Sequence, residues 1–232
     1  AASPEVSIAP TTMKALSYDP VKDLQPITLV GQVPFFLVVN PQLPVNSVRE
    51  LIDYARKNPG KLSYASSGAG TPPHLAAELF KQASGIFAVH IPYASSPQAI
   101  LAILQGDVQF ACVPAVAVIP QVKAGKLRPL AVSTGKRSAL TPEIPTMKEA
   151  GLPEINNLAW MAVMAPASTP NDIVQRMNQE INTVLAMPEV KEKLYAQYME
   201  PIGGSVQDLQ NFMREELRVM TPVIKRTGRR SD

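Results

Sequence analysis

Leu62-Ser63-Tyr64-Ala65-Ser66-Ser67-Gly68-Ala69-Gly70-Thr71-Pro72-Pro73-His74 sets a short apolar run against a glycine-rich turn and a proline-led helix start. Residues 62–66 have the length and side-chain pattern of a strand, 67–71 form a loop, and 72–83 carry a helix with Pro in its first turn and Gly85 just past its end. This is one β-loop-α unit. Upstream, Ser47-Val48-Arg49-Glu50 is a capping box, in which the Ser47 hydroxyl accepts from the Glu50 N–H while Glu50 reaches back; Val48, Leu51, Ile52 and Ala55 mark one helix face before Asn58-Pro59-Gly60 stops it. Downstream come a strand at 87–91, a helix at 97–104, a strand at 108–113, a helix at 115–124 interrupted by Pro120, and a strand at 128–133. Strands alternating with helices predict an α/β protein with a parallel-rich sheet covered by helices.

The flanks read differently. Residues 135–157 are irregular, with a second capping box, Thr146-Met147-Lys148-Glu149, over a very short helix ending near Gly151. Residues 159–165 are strand-like, Thr169-Pro170 caps a helix to about 186, and Pro188 begins another to about 198. Ser205 caps a last helix whose Leu209, Phe212, Met213, Leu217 and Met220 keep helical spacing. The first forty residues have Pro at 4, 10, 20, 26 and 34, few helix signals and two strand-like runs, 27–30 and 35–39, and read as a connector. The expected organisation is two lobes: 1–36 with 160–232, and 37–159, the second carrying the glycine-rich loop. Two crossings between lobes suggest a hinge that closes over a ligand.

Composition excludes several classes. With 46% hydrophobic and 18% charged residues the chain is neither disordered nor, given runs as short as 35–39 and 111–120, a membrane-spanning protein. The net charge of +3 owes much to Lys225, Arg226, Arg229 and Arg230, a solvated tail rather than a nucleic-acid surface. The single Cys112 sits in an apolar run as a small buried hydrophobe and forms no internal disulfide. Residues 1–10 lack the basic and apolar regions of a secretion signal, so any export signal would have to lie upstream of residue 1.

The loop Ser66-Ser67-Gly68-Ala69-Gly70-Thr71 precedes a helix start, where backbone N–H groups and the positive end of the helix dipole attract carboxylate or phosphate. Its glycines let a ligand approach the backbone, Ser66, Ser67 and Thr71 add hydroxyls, and His74 either donates to the ligand or satisfies the helix end. The competing reading is a tight β-α turn with Thr71 as N-cap. Gly68-Ala69-Gly70 lacks the third glycine of a dinucleotide fingerprint and no Lys-Ser or Lys-Thr supplies a P-loop. A second strand-to-helix turn, His90-Ile91-Pro92-Tyr93-Ala94-Ser95-Ser96-Pro97, has Ser96 as its expected N-cap. Both turns belong at the carboxyl ends of strands, where α/β sheets bind ligands, and Val113-Pro114-Ala115-Val116 should reach the same edge. Tyr93 there stacks, donates or packs. Two histidines and one cysteine make no metal cluster, and without a Gly-x-Ser-x-Gly elbow no hydrolase is indicated.

In order along nearly the whole chain, Tyr18-Asp-Pro-Val-Lys-Asp23, Pro26-Ile-Thr28, Ser47-Val-Arg-Glu-Leu51, Pro59-Gly-Lys-Leu-Ser-Tyr-Ala-Ser66 and Gly68-Ala-Gly-Thr-Pro-Pro-His74 are followed by Pro92-Tyr93, Gly106-Asp107, Ala124-Gly-Lys-Leu-Arg128, Leu130-Ala-Val132, Pro145-Thr146, Glu149-Ala-Gly-Leu-Pro153, Trp160 and Ala165-Pro166. This series resembles the periplasmic solute-binding proteins of tripartite tricarboxylate transporters, the Bug family. The resemblance implies a two-lobed, type II flytrap fold, no cofactor and no enzymatic activity. It also implies a periplasmic monomer that hands a small carboxylate, such as a dicarboxylate, amino acid or aromatic acid, to membrane transporter subunits. The implied ligand residues are Ser66, Ser67, Gly68, Ala69, Gly70, Thr71, His74, Tyr93 and Ser95. Two departures stand out. The family's Tyr-Lys-Gly or Tyr-Arg-Gly turn is here Tyr93-Ala94-Ser95. The family's initial β/α segment with its Pro-Phe-x-x-Gly-Gly loop has no counterpart, and two such units take on the order of 60 residues or more. The expectation is a first lobe lacking its N-terminal β/α units, through a numbering that omits them or in a truncated relative with altered binding or a dimeric lobe. A ligand-sensing module of a regulator is the rival from another class.

Overall fold

A computed structural model of the chain describes residues 2–4, 6, 8–9, 16–20, 22–138, 141–153, 155 and 157–227. Val21 of the 18–23 stretch, Pro10, and Arg229 and Arg230 of the tail lie outside the described residues.

The two strand-like runs 27–30 and 35–39 are one strand, β1 (Leu24–Val39), of 16 residues. Gly31 and Pro34 suggest a break to pattern reading, but pairing partners override them: Leu29, Gly31 and Gln32 pair with β7 (Glu200–Gly203), and 35–39 pair with β4 (Phe110–Pro114). Two compact units result. One comprises Ala1–Val33 and Ala159–Asp232, the other Pro34–Leu158, so the chain passes between them within β1 and at the start of β6 (Leu158–Pro166).

Unit 34–158 contains α1 (Val48–Lys57), β2 (Ser63–Ser66), α2 (Pro72–Ser84), β3 (Val89–Pro92), α3 (Ser96–Gln105), β4, α4 (Ala115–Lys123) and β5 (Arg128–Val132). Strand order is β3-β2-β4-β1-β5. β2 is parallel to β3 and β4, whereas β1 runs antiparallel to β4 and β5. The sheet is therefore mixed, since hydrophobic pattern reports which residues are buried and not which way a strand runs. Phe35, Phe36, Leu37, Val38 and Val39 are all at most 1% exposed, as suits a strand covered on both faces. Each such side chain contributes roughly 1.5–3 kcal/mol by leaving water. Phe80 of α2 meets Phe110 of β4 edge-on, ring centroids 5.8 Å apart, and fixes that helix against the sheet.

Several local expectations change. Thr146 and Glu149 do exchange capping bonds, 2.8 and 3.1 Å, but close only a run of turns, because Gly151 and Pro153 follow too soon for a helix. In α1, Glu50 reaches back to the Asn46 N–H at 2.7 Å rather than to Ser47. Pro120 lies inside α4 without ending it.

Unit 1–33 with 159–232 holds the first part of β1, β6, α5 (Asn171–Ala186), α6 (Pro188–Ala196), β7 and α7 (Val206–Thr227). β6 and β7 both pair with β1. Pro170, not Thr169, is the N-cap of α5, and α6 ends at Ala196, two residues before Tyr198 takes a positive φ of 56°. The N-terminal segment is more than a connector: Ala2 exchanges backbone hydrogen bonds with Ala162, and Pro4, Val6, Ile8 and Ala9 have helical backbone. Ala2 packs with Leu29, Trp160, Ala162, Leu209 and Met213. Trp160 is a core residue here, its indole N–H donating to Glu216 at 2.6 Å and its ring edge-on to Phe212. No helix among the described residues is long and apolar enough to cross a membrane.

Candidate ligand-binding site

Because β2, β3 and β4 are parallel, their carboxyl ends share one edge, where the loop 67–71 follows β2, residues 93–95 follow β3, and Pro114 leads directly into α4. The first two turns touch: the Tyr93 N–H donates to the Ser66 carbonyl at 2.9 Å. Val113-Pro114-Ala115-Val116 reaches this edge as expected from the strand direction.

The loop is held from within. Gly68 and Gly70 have φ of +127° and +79°, conformations open to glycine and strained for other residues. The Gly68 N–H donates to Ser66 Oγ at 3.1 Å, the Gly70 N–H to His74 Nδ1 at 3.1 Å, and Thr71 Oγ1 to the Gly68 carbonyl at 2.8 Å. Thr71 is the N-cap of α2, but its hydroxyl makes this loop bond instead of capping the helix. Pro72 and Pro73 bring no N–H to the first turn. The sequence suggested a generous set of amides at this helix start. Within the described loop 66–71, the N–H groups without a protein acceptor are those of Ser67, which precedes Gly68, and Ala69, which lies between the two inward-turned glycines. Ala69 is exposed and Ser67 half-buried.

Beneath the loop lies a stack of rings. His74, 4% exposed, stacks on His90 with centroids 4.1 Å apart, and Tyr64 stacks on His90 at 4.9 Å. His90 Nε2 is 2.6 Å from Ser66 Oγ. A hydroxyl has one hydrogen and two lone pairs. Ser66 Oγ donates to the Gly68 carbonyl at 3.0 Å and accepts from the Gly68 N–H, so all three contacts are satisfied together when the His90 Nε2 carries a hydrogen and donates. Tyr64 in turn donates to Glu78 at 2.5 Å, and Lys81 pairs with the same carboxylate at 2.6 Å. Burial, with the Glu78 contact, pushes the Tyr64 phenol far up. Burial alone would raise Glu78, but the hydrogen bonds from Lys81 and Tyr64 outweigh it and hold the carboxyl below its usual range.

The remaining predicted residues are also placed. Tyr93 is half-buried beside the loop, its carbonyl 4.0 Å from where a Cβ on Gly68 would lie. Ser95, not Ser96, is the N-cap of α3 and accepts from Gln98 at 3.4 Å, while Gln98 reaches back to the Ala94 N–H. The correction follows from Pro97: it sits comfortably at the second helical position as well as the first, so the sequence leaves the cap ambiguous by one residue. Sequence reading missed Tyr64, Glu78, Lys81 and His90 as a supporting group. His90 enters through the register Tyr64↔His90 in the β2–β3 pair, which no local motif announces. Among the described residues no group of His, Cys, Asp or Glu could hold a metal ion.

The family model described as the tripartite tricarboxylate transporter family receptor matches residues 1–229. The chain belongs to that family. Among curated relatives of this receptor, protein BugT of Bordetella pertussis is 33% identical over 226 residues, covering 97% of the chain and 69% of BugT. Among solved structures, the R. palustris protein Rpa4515 with adipate is 35% identical at a TM-score of 0.86, covering 98% of the chain and 76% of Rpa4515. The periplasmic binding protein BugD is 27% identical at a TM-score of 0.82, covering 99% of the chain and 78% of BugD. The fold is thus the two-lobed, periplasmic-binding-protein-like α/β fold of these receptors, and the chain spans about two thirds to three quarters of the length of the relatives it matches.

Proposed function

We propose that this receptor captures a small carboxylate in the periplasm and delivers it to the membrane subunits of a tripartite tricarboxylate transporter, without catalysing a reaction. The observation that carries the ligand class is the loop 66–71 at the carboxyl edge of parallel strands, whose Ser67 and Ala69 N–H groups have no acceptor among the described residues. Two amides of one glycine-rich turn beside a helix start suit a carboxylate oxygen better than any neutral group. Rpa4515, 35% identical, was solved with adipate, which agrees with an acid of this size. Ser66, Gly68, Gly70 and Thr71 shape the loop in this reading, and Tyr93 and Ser95 border it. The unit 34–158 that bears the loop corresponds to the ligand-gripping lobe, and 1–33 with 159–232 to the other. Ala94-Ser95, in place of the cation and glycine common in the family, leaves the loop's amides as the main attraction for the anion.

The test is a thermal-shift screen of the chain against mono-, di- and tricarboxylates, amino acids and aromatic acids, with adipate included. A ligand at 100 times its dissociation constant adds about 2.7 kcal/mol of stability, a readily visible shift. Gly70→Val forces a side chain onto a φ of +79° at about 1–2 kcal/mol of strain and should abolish the shift. A cooperative melt that none of the acids moves would count against the carboxylate reading.

A further inference from the structure

We propose that His74 is a positioning residue that latches the anion loop, and that ligand affinity falls as His74 takes up a proton. The inference rests on the carboxylate reading of the loop 66–71 and adds to it a regulation of the same site.

The latch follows from hydrogen-bond chemistry. The Gly70 N–H donates to His74 Nδ1 at 3.1 Å, so Nδ1 presents a lone pair and the ring of neutral His74 carries its hydrogen on Nε2. His74 lies on α2, four residues beyond Gly70, and is 4% exposed, so the ring is held by packing as well as by this bond. On the other side of the loop, His90 Nε2 meets Ser66 Oγ, and Ser66 holds Gly68. The two stacked imidazoles therefore turn two glycine amides inward, one directly and one through Ser66. That alternation is what leaves the intervening Ala69 N–H, and Ser67 before it, for a ligand. If Nδ1 of His74 gains a proton, two N–H groups face each other, the contact to Gly70 is lost, and Gly70 is released.

The two histidines differ in this respect. In the arrangement that satisfies all three contacts of Ser66 Oγ, His90 donates through Nε2, and protonation at its other nitrogen keeps the Ser66 contact. Protonation of His74 breaks its contact. Among the groups facing His74 are His90 of β3 at 4.1 Å, Tyr64 of β2 at 6.2 Å, and the Glu78 carboxylate one turn along α2, which is paired with Lys81; from β4 the stack is closed by Phe110. A charged His90 opposes a second charge on His74, while Glu78 favours it, and Tyr64 stays neutral. The loop is thus competent at neutral and mildly alkaline pH and releases its hold in acid.

The experiment uses the whole chain with a carboxylate found in the screen above, with affinity measured by calorimetry from pH 8 to pH 5 for the wild type, His74→Leu and His74→Asn. Leucine fills the space without an acceptor, while the asparagine amide oxygen restores one near the position of Nδ1 and does not titrate. The expected result is at least a tenfold loss of affinity in His74→Leu at pH 8 and recovery of most of it in His74→Asn. Wild-type affinity should fall with pH more steeply than that of His74→Asn, which carries the ligand's own titration and that of His90. Nitrogen-15 spectra of the wild type provide a readout independent of ligand. Nδ1 of His74 should be unprotonated at pH 8, and the Gly70 amide should lose protection from exchange as His74 titrates. A hydrogen on Nδ1 at pH 8, or variants that bind as tightly as the wild type with the same pH dependence, overturns the latch and leaves the carboxylate reading standing. A wild type with the expected Nδ1 state that binds none of the acids overturns the carboxylate reading, and the proposed control of affinity with it.

Discussion

Glu78 shows how a single side chain is set by competing terms. Its carboxylate is mostly buried, which favours the neutral acid, but it accepts from Tyr64 and Lys81 at 2.5 and 2.6 Å, and these charge-assisted bonds prevail. A carboxyl lowered in the folded state stabilises the protein above its unfolded value, about 4.3, and that contribution disappears as pH falls through the folded value. Glu78→Gln should therefore cost about 1–2 kcal/mol in urea unfolding at pH 7, with the gap to the wild type narrowing towards pH 3. An equal gap at both pH values would show that packing, and not charge, is what Glu78 supplies. The same residue marks a limit of reading from sequence. Gly68, Gly70 and the prolines announced the turn and its place before a helix, because backbone conformation is a local property. The Gly70–His74 bond is local too, four residues apart, but that His90 stands beneath Ser66 and Tyr64 depends on strand register across 24 residues of chain.

The same division runs through the elements. The β/α alternation from α1 to β5 was legible because α1 and α2 carry start and stop signals, Ser47 with Asn58 and Pro72 with Gly85, and β4 and β5 are short apolar runs. β1 was legible only in halves, and β7 not at all: Glu200-Pro201-Ile202-Gly203 has four residues, one of them Pro and one Gly. Its pairing with β1 makes it a strand. Gly31 is the residue that admits this pairing, since a Cβ there would lie 2.6 Å from Met199 Cγ and 2.8 Å from the Glu200 carbonyl oxygen. The Met199 side chain can swing aside, but the Glu200 oxygen belongs to the paired backbone. Gly31→Ala is expected to cost about 1–3 kcal/mol, read as a lower urea midpoint with an unchanged slope. A midpoint equal to the wild type's would mean that β7 yields without cost and that its hold on β1 is slight.

At the scale of the whole molecule, β1 is shared. Residues 24–33 belong to one compact unit and 34–39 to the other, and the same strand pairs with β6 and β7 in its first part and with β4 and β5 in its second. Losing the partners of one part strips the middle of a continuous strand and frays the other, so the two units should unfold together despite separate cores. Trp160, the chain's single tryptophan, sits in the core of the unit 1–33 with 159–232, bonded to Glu216, whereas the anion loop belongs to the other. Its fluorescence thus reports one unit while the proposed ligand stabilises the other. Urea transitions followed by Trp160 fluorescence and by far-ultraviolet circular dichroism should coincide, and a bound carboxylate should move both to the same higher midpoint. Were the ligand to move the dichroism transition and leave the fluorescence transition in place, β1 would be a tether between independent units rather than a strand that couples them. The loop's state would then reach the rest of the receptor by some route other than cooperative folding.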